Sequence, residues 1–319
     1  MNKPIPTPTF QNIRPPNKTN YTYFEDIQHH PFLPQATSFE LVNAGWLADL
    51  ALLAYADEGF IKQKLDDAGL TAQGFVMKFL SSYITQCFVI HNDNFIVVSM
   101  RGTEIDNFWG AFDDWLRNLE FAPVRDESGG GVHEGFRKDI DEIWNNNNLG
   151  PSLKSYLQQV LGSGPRALWI TGHSLGAALA TLAAERAVRD AGFAVQGVYT
   201  YGSPRVGDTD FKQHYEAIGL NAKTFRILHG IDIAQKLFPG VTYTHVGQLK
   251  YIDSDGILHP IFAEEDLPQF SAAQQLALGL YRLLGNTAAS IADALGIPIP
   301  APIADHAPIY YASYIWNNQ

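Results

Sequence analysis

The chain has 319 residues, 46% of them hydrophobic and 17% charged, which is enough apolar material for a large core and excludes disorder over the whole chain. Its 22 basic and 33 acidic side chains give a net charge of −11, so we expect no nucleic-acid partner. The one cysteine, Cys87, excludes an intramolecular disulfide framework and a cysteine-rich zinc site.

Residues 1–37 are rich in Pro, Asn and Thr, and their prolines disfavour regular helix and central strand. We predict an extended N-terminal arm, either lying on the body or loose in solvent. The N-terminus shows no apolar core of a secretory signal, and no apolar run reaches the ~18 residues of a membrane span. The expectation is a soluble protein without a transmembrane anchor. The compartment stays open between the cytoplasm and export by a leaderless route or as a mature form.

The first regular elements of the body are a helix and a β-hairpin. Apolar residues recur at helical spacing from Phe39 to Tyr55, with Ser38 as the expected N-cap. Residues 83–90 and 95–100 have strand composition, and the turn residues His91–Asn94 between them predict a hairpin.

Downstream, strand and helix patterns alternate. Helices are predicted over 133–147, 151–161, about 209–218 and 271–295; strands are predicted at ALWIT, VQGVYTYG and TFRILHG, with a hairpin across YTHVGQLKYID and GILHP. Alternation of this kind is typical of a mostly parallel sheet covered by helices on both faces. We therefore predict one α/β domain over residues 38–319, with a helical insertion at 265–295.

A G-x-S-x-G motif stands at Gly172–Gly176, between an apolar strand and an Ala-rich helix. A serine there occupies a strained strand-to-helix turn that lifts its hydroxyl clear of the sheet, beside the N–H groups of the helix. Ser174 is the predicted nucleophile. The alternative is a Gly-rich turn with a capping serine.

The acidic partner of such a serine follows it in the chain, at the end of a later strand. Asp232 lies just beyond TFRILHG and is our candidate. Its rivals have structural interpretations, because Asp208 and Asp210 open a helix and Asp253 and Asp255 belong to a turn.

The base must be a histidine further on: His245, His259 or His306. His245 lies in a strand-like segment, His259 precedes a proline at the end of the hairpin, and His306 follows a Pro-rich loop suited to bringing an imidazole over the sheet edge. His306 is the predicted base. His173 is interpreted as a packing ring.

Two backbone donors are expected to bind the developing oxyanion. One is the N–H of Leu175, the residue after the nucleophile, and the other is Thr103, which follows the strand FIVVSM. The alternative for Thr103 is a plain turn.

The next segment, 104–121, is a candidate lid, with acyl-binding candidates Phe108, Trp109, Phe112 and Trp115. Its large apolar groups fit an amphipathic flap over an apolar pocket, and Trp115 with Leu119 equally fits an ordinary core helix.

Several motifs occur together between about residues 95 and 311, in this order: SMRGT with DWLRNLEF, VHEGF, ITGHSLGAALA, YTYGSPRVGD, ILHGIDIAQKLFP, YTHVGQLKYI and DHAPIYY. In this set the chain resembles the class 3 lipase family, which includes the fungal triacylglycerol lipases. The resemblance implies an α/β-hydrolase fold and ester hydrolysis by a triad of Ser174, Asp232 and His306. It also implies an oxyanion hole of Thr103 and Leu175 and a lid beginning near Glu104.

The expected function is that of a lipase acting on acylglycerol esters, with a lipid or small ester as substrate, a lipid–water interface as a candidate partner, and neither metal nor cofactor. The H-E-x-x-H zinc motif fails at His133, where Arg137 replaces the second histidine. Alternatives are a short-chain carboxylesterase, a phospholipase A1, a feruloyl-type esterase, and a catalytically silent lipase-like binding protein.

Overall fold

The computed structural model describes residues 2–102, 123–145, 150–236, 242–279 and 299–319. The predicted lid, 104–121, lies outside these ranges. Of the predicted helical stretch 271–295, residues 272–279 are helical and 280–295 lie outside the described residues. Within the described ranges, no helix is both long enough and apolar enough to cross a bilayer.

The strands of the described residues are β1 Val76–Ser81, β2 Gln86–His91, β3 Phe95–Met100, β4 Val124–Arg125, β5 Gly131–Val132, β6 Ala167–His173, β7 Val195–Tyr201, β8 Thr224–His229, β9 Gln248–Ile252 and β10 Leu258–His259. Eight of them form the central sheet, in the order β1-β2-β3-β6-β7-β8-β9-β10. Strands β3 and β6 to β9 pair in parallel, whereas β1, β2 and β10 run antiparallel to their neighbours. Strands β4 and β5 form a separate two-stranded hairpin.

Helices cover both faces of the sheet. They span Phe10–Ile13, Leu41–Leu53, Glu58–Asp67, Glu134–Asn145, Leu153–Gly162, Leu175–Ala191, Thr209–Ala217, Ala301–Ala304 and Pro308–Asn317. Neighbouring strand residues enter opposite cores: Val97 packs with the first and last long helices, and Val98 packs with the three helices between residues 134 and 191. The predicted α/β architecture with a mostly parallel sheet is confirmed.

Some local predictions were wrong. The first long helix begins at Leu41, and Ser38 bonds the Glu40 side chain rather than capping the helix. Strand β9 begins at Gln248, so YTHV is not strand. The edge strand β1 was not among the expectations, because its residues are largely half-exposed and show little alternation.

The N-terminal arm lies on the body rather than loose in solvent. Tyr21 and Phe24 are buried, and the carboxylate of Asp49, on the first long helix, accepts hydrogen bonds from the Tyr21 hydroxyl and the Phe24 N–H. At its start, the Lys3 carbonyl accepts a 2.9 Å bond from the Asn317 amide. The arm therefore connects the first long helix to the last one.

Candidate active site

Strand β6 ends in a tight turn that holds Ser174 in a strained backbone conformation. Ser174 has φ 58° and ψ −125°, and the helix Leu175–Ala191 begins at the next residue. Such positive φ costs a non-glycine residue about 1–3 kcal/mol. Two glycines make the turn possible: a Cβ at Gly172 would lie 2.2 Å from the Gly176 carbonyl oxygen, and one at Gly176 would lie 2.3 Å from that of Met100. The motif glycines thus let the helix start approach the ends of β6 and β3.

The structure brings the three predicted triad residues together in one hydrogen-bonded chain. The Oγ atom of Ser174 lies 2.8 Å from Nε2 of His306. The other ring nitrogen, Nδ1, lies 2.8 and 3.0 Å from the two carboxylate oxygens of Asp232. Because a carboxylate only accepts, the proton belongs on Nδ1, and Nε2 is left to accept from the serine hydroxyl. All three side chains are buried.

Asp232 is a buried carboxylate surrounded by donors. The Tyr311 hydroxyl donates to Oδ2, and the Ala234 N–H donates to Oδ1 at 2.6 Å. Burial alone would raise the pKa of Asp232, but the attraction of His306 and these hydrogen bonds outweigh it and hold the pKa below its ordinary value. The group is therefore a carboxylate at neutral pH, able to stabilise a positively charged imidazole.

The loops that carry Asp232 and His306 are fastened to each other. The Asp305 carboxylate accepts a 2.9 Å bond from the Ile231 N–H, and the Asp305 carbonyl lies 3.1 Å from Nδ1 of His229. Both contacts join a residue beside the base to the segment that leads from β8 to the acid.

His173 does more than the packing expected of it. Its Nε2 lies 2.7 Å from the backbone carbonyl oxygen of His306, and its Nδ1 lies 2.8 Å from the hydroxyl of Tyr55. A carbonyl only accepts, so Nε2 carries the proton and the Tyr55 hydroxyl donates to Nδ1. Burial and the neighbouring His306 hold the pKa of His173 well below its ordinary value, so the ring is neutral.

Gly202, after β7, forms a wall of the site that the sequence analysis did not identify. Its φ is +55°, and a Cβ would lie 2.8 Å from Oδ2 of Asp232 and 3.0 Å from Nδ1 of His306. Only a bare backbone leaves room for the acid–base pair. The signal in the sequence is a single glycine at a strand end.

Of the two candidate oxyanion donors, only Leu175 lies within the described residues. Leu175 is the first residue of its helix, where backbone N–H groups lack intrahelical partners. Thr103 and the lid candidates lie outside the described residues. The turn before Thr103 contacts the strand-to-helix turn at Ser174, because a Cβ at Gly102 would lie 2.9 Å from the His173 carbonyl oxygen.

The rival acids and histidines have structural roles. Asp208 caps the helix Thr209–Ala217 through the Phe211 N–H at 2.9 Å, and Asp253 accepts from two turn N–H groups and lies 2.8 Å from His259. His245 is half-buried, and loss of solvation and nearby cations hold its pKa well below the ordinary value. Across the described ranges, no group of three or more histidine, cysteine or acidic residues is arranged to hold a metal ion.

Residues 97–242 match the family model described as lipase (class 3). Among curated proteins, the secreted mono- and diacylglycerol lipase 1 of Fusarium solani is 34% identical over 163 residues, which are 50% of this chain and 44% of that protein. Phospholipase A1-II 6 of Oryza sativa subsp. japonica is 28% identical over 186 residues, which are 50% of this chain and 44% of that protein. The chain thus spans less than half the length of either relative.

A solved structure of Rhizomucor miehei lipase in a propeptide complex superposes with a TM-score of 0.56 at 26% identity and covers 69% of each chain. The family model, the curated relatives and this solved structure show that the chain is similar to the class 3 lipases and has an α/β-hydrolase fold.

Proposed function

We propose that this protein is a serine carboxylic-ester hydrolase, a lipase acting on acylglycerol esters through Ser174, His306 and Asp232. The observation that carries the proposal is the buried hydrogen-bonded chain from the strained Ser174 hydroxyl through His306 to an ionised Asp232. A serine, a base and an orienting acid in this relation are the requirement for nucleophilic acyl transfer.

In the first half-reaction, His306 Nε2 takes the hydroxyl proton while Ser174 Oγ bonds to the ester carbonyl carbon. The carbonyl oxygen becomes an oxyanion that the N–H groups of Leu175 and Thr103 bind, and each such donor contributes about 10²–10³ in rate. His306 then gives the proton to the leaving alcohol as the carbon–oxygen bond breaks. Asp232 keeps the proton on Nδ1 and stabilises the imidazolium formed in between.

In the second half-reaction, water attacks the acyl-enzyme and passes a proton to His306 Nε2. The tetrahedral adduct collapses, Ser174 recovers the proton, and a carboxylic acid leaves.

Acylglycerols are the proposed substrates because the Fusarium relative is named a mono- and diacylglycerol lipase. The rice relative is named a phospholipase A1, which keeps a phospholipid ester as the second candidate. We further propose residues 38–319 as the catalytic domain, with residues 1–37 as an arm packed on it.

The test is the initial rate of hydrolysis of p-nitrophenyl esters from acetate to palmitate, of emulsified triacylglycerol and of phosphatidylcholine, with Ser174→Ala beside the wild type. We expect turnover of long esters and a loss of about 10³-fold or more in the variant. Ser99→Ala is the matched control, because Ser99 is equally buried and its hydroxyl bonds only the Leu50 carbonyl among the described contacts.

Each outcome separates the alternatives. Rates confined to acetate and butyrate would make the protein a short-chain esterase with the same triad. A preference for phosphatidylcholine would favour phospholipase A1. Equal inertness of wild type and Ser174→Ala would overturn the proposal in favour of a silent binding protein.

A further inference from the structure

The turn between β1 and β2, residues Ser82–Thr85, exposes two adjacent apolar side chains. Tyr83 is 74% exposed and Ile84 is 62% exposed. No charged residue stands between Phe79 and Gln86. The turn is held firmly: the Ser82 N–H donates to the Thr85 carbonyl at 2.8 Å, and the Tyr83 N–H donates to the Glu142 carboxylate at 3.0 Å. The two side chains are thus presented on an ordered support.

Strand register places this turn at the same edge of the sheet as the nucleophile. Gly172 pairs with Met100 of β3, and Met100 pairs with Cys87 of β2. Cys87 therefore lies two strand spacings, about 10 Å, from Gly172. Ser174 stands two residues beyond Gly172, and Ile84 stands three residues before Cys87 on an antiparallel strand. Measured along the strand direction, Tyr83 and Ile84 consequently lie about as far toward the active-site edge of the sheet as Ser174 does.

Two other exposed aliphatic side chains near the sheet, Ile257 and Ile261, differ in setting. Ile257 lies in the β9–β10 turn, which also holds Asp253 and Asp255. Ile261 is 91% exposed and follows β10, which runs antiparallel to β9, so the chain there leads away from the active-site edge. Tyr83 and Ile84 combine exposure, a turn sequence without charged residues, and proximity to the edge of the sheet that carries the nucleophile.

We propose that Tyr83 and Ile84 dock the enzyme on the surface of aggregated lipid, with the active-site edge facing that surface. An aromatic ring with a polar tip beside an aliphatic side chain suits the boundary between headgroups and acyl chains. The net charge of −11 opposes an anionic surface, so the fitting partner is an uncharged or zwitterionic one. The inference rests on the proposed function for its substrate and on strand register for its geometry.

The experiment compares wild type, the double variant Tyr83→Ser/Ile84→Ser and the control Ile261→Ser. Three quantities are measured: flotation with phosphatidylcholine vesicles, the rate on emulsified triacylglycerol, and the rate on dissolved p-nitrophenyl butyrate below its solubility limit. We expect vesicle binding and the emulsion rate of the double variant to fall about tenfold, with the dissolved-ester rate within about twofold of wild type. The control should match the wild type in all three.

Undiminished vesicle binding by the double variant would overturn the proposal, and so would an equal loss on the dissolved ester, which would mean damage to the catalytic site. A wild-type dimer that the double variant converts to monomer would assign the turn to a second copy of this chain instead. If wild type hydrolyses no ester, the proposed function fails, while flotation still decides whether this turn binds lipid.

Discussion

The Nε2–H of His173 donates to the backbone carbonyl of His306 at 2.7 Å, so the residue before the nucleophile holds the main chain of the base that faces it. The same ring accepts from Tyr55, whose hydroxyl packs against Gly102 in the turn before the oxyanion candidate Thr103. One neutral imidazole therefore joins the base to that turn.

From this relationship we predict that His173→Phe lowers kcat for a dissolved ester about 10- to 100-fold, with little change in KM, because His306 loses a support that matters most in the transition state. His173→Gln, which retains a donor, should recover part of the loss. Equal losses in both variants would contradict a positioning role. His91→Phe, a half-buried ring at the opposite end of the sheet, serves as the control.

Gly202 offers a separate prediction based on space. Gly202→Ala should reduce kcat at least about tenfold and destabilise the fold by about 1–3 kcal/mol, because the new Cβ displaces Asp232 and His306 and φ is +55°. Gly192→Ala is the matched control: its φ is +66° at a helix end, and its added Cβ meets nothing within 4 Å. Denaturation and kinetics together distinguish backbone strain, common to both variants, from damage at the site, which only Gly202→Ala should show.

Tyr311, on the last helix, donates a hydrogen bond to the triad carboxylate of Asp232. Tyr311→Phe removes the hydroxyl that donates to Asp232 Oδ2, and we expect kcat to fall about tenfold because the carboxylate is less firmly held and less stabilised as an anion. The neighbouring Tyr310 hydroxyl bonds the Pro6 carbonyl instead, so Tyr310→Phe should keep the wild-type kcat. Similar activity in the two variants would refute the supporting role.

Asp139, on the helix Glu134–Asn145, predicts a pH dependence of stability. Burial and the nearby Glu142 raise the pKa of Asp139 to about 6. The folded state thus binds this proton more tightly than the unfolded state does, and ionisation lowers the free energy of unfolding as pH rises from about 4 to 6. Asp139→Asn removes that dependence. Relative to wild type, the free energy of unfolding of the variant should therefore rise by about 1–2 kcal/mol between pH 4 and pH 7, a figure reduced for the partial exposure of Asp139. Urea denaturation of both proteins at pH 4 and at pH 7 measures this difference in the free energy of unfolding. A difference that does not change with pH would contradict the prediction.

Much of the candidate site can be predicted from the sequence. G-H-S-L-G between an apolar strand and an Ala-rich helix is a local pattern, and the backbone strain it implies is present at Ser174. Asp232 and His306 follow from chain order, because carboxyl ends of parallel strands meet at one sheet edge. Asp208 shows how a single residue can set a helix start, whereas Ser38 is a residue type that often caps helices but does not cap one here.

The sequence by itself therefore determined the parallel part of the sheet, the strained turn at Ser174 and the residues that meet there, since each depends on local periodicity, turn chemistry or strand order. Only the tertiary structure decided that His173 holds the His306 backbone, that Gly202 makes room for the acid–base pair, that Tyr311 supports Asp232, and that the arm buries Tyr21 on Asp49. Those contacts join residues 28 to 133 positions apart in the chain, and no local pattern encodes such a distance because packing of the whole fold sets it.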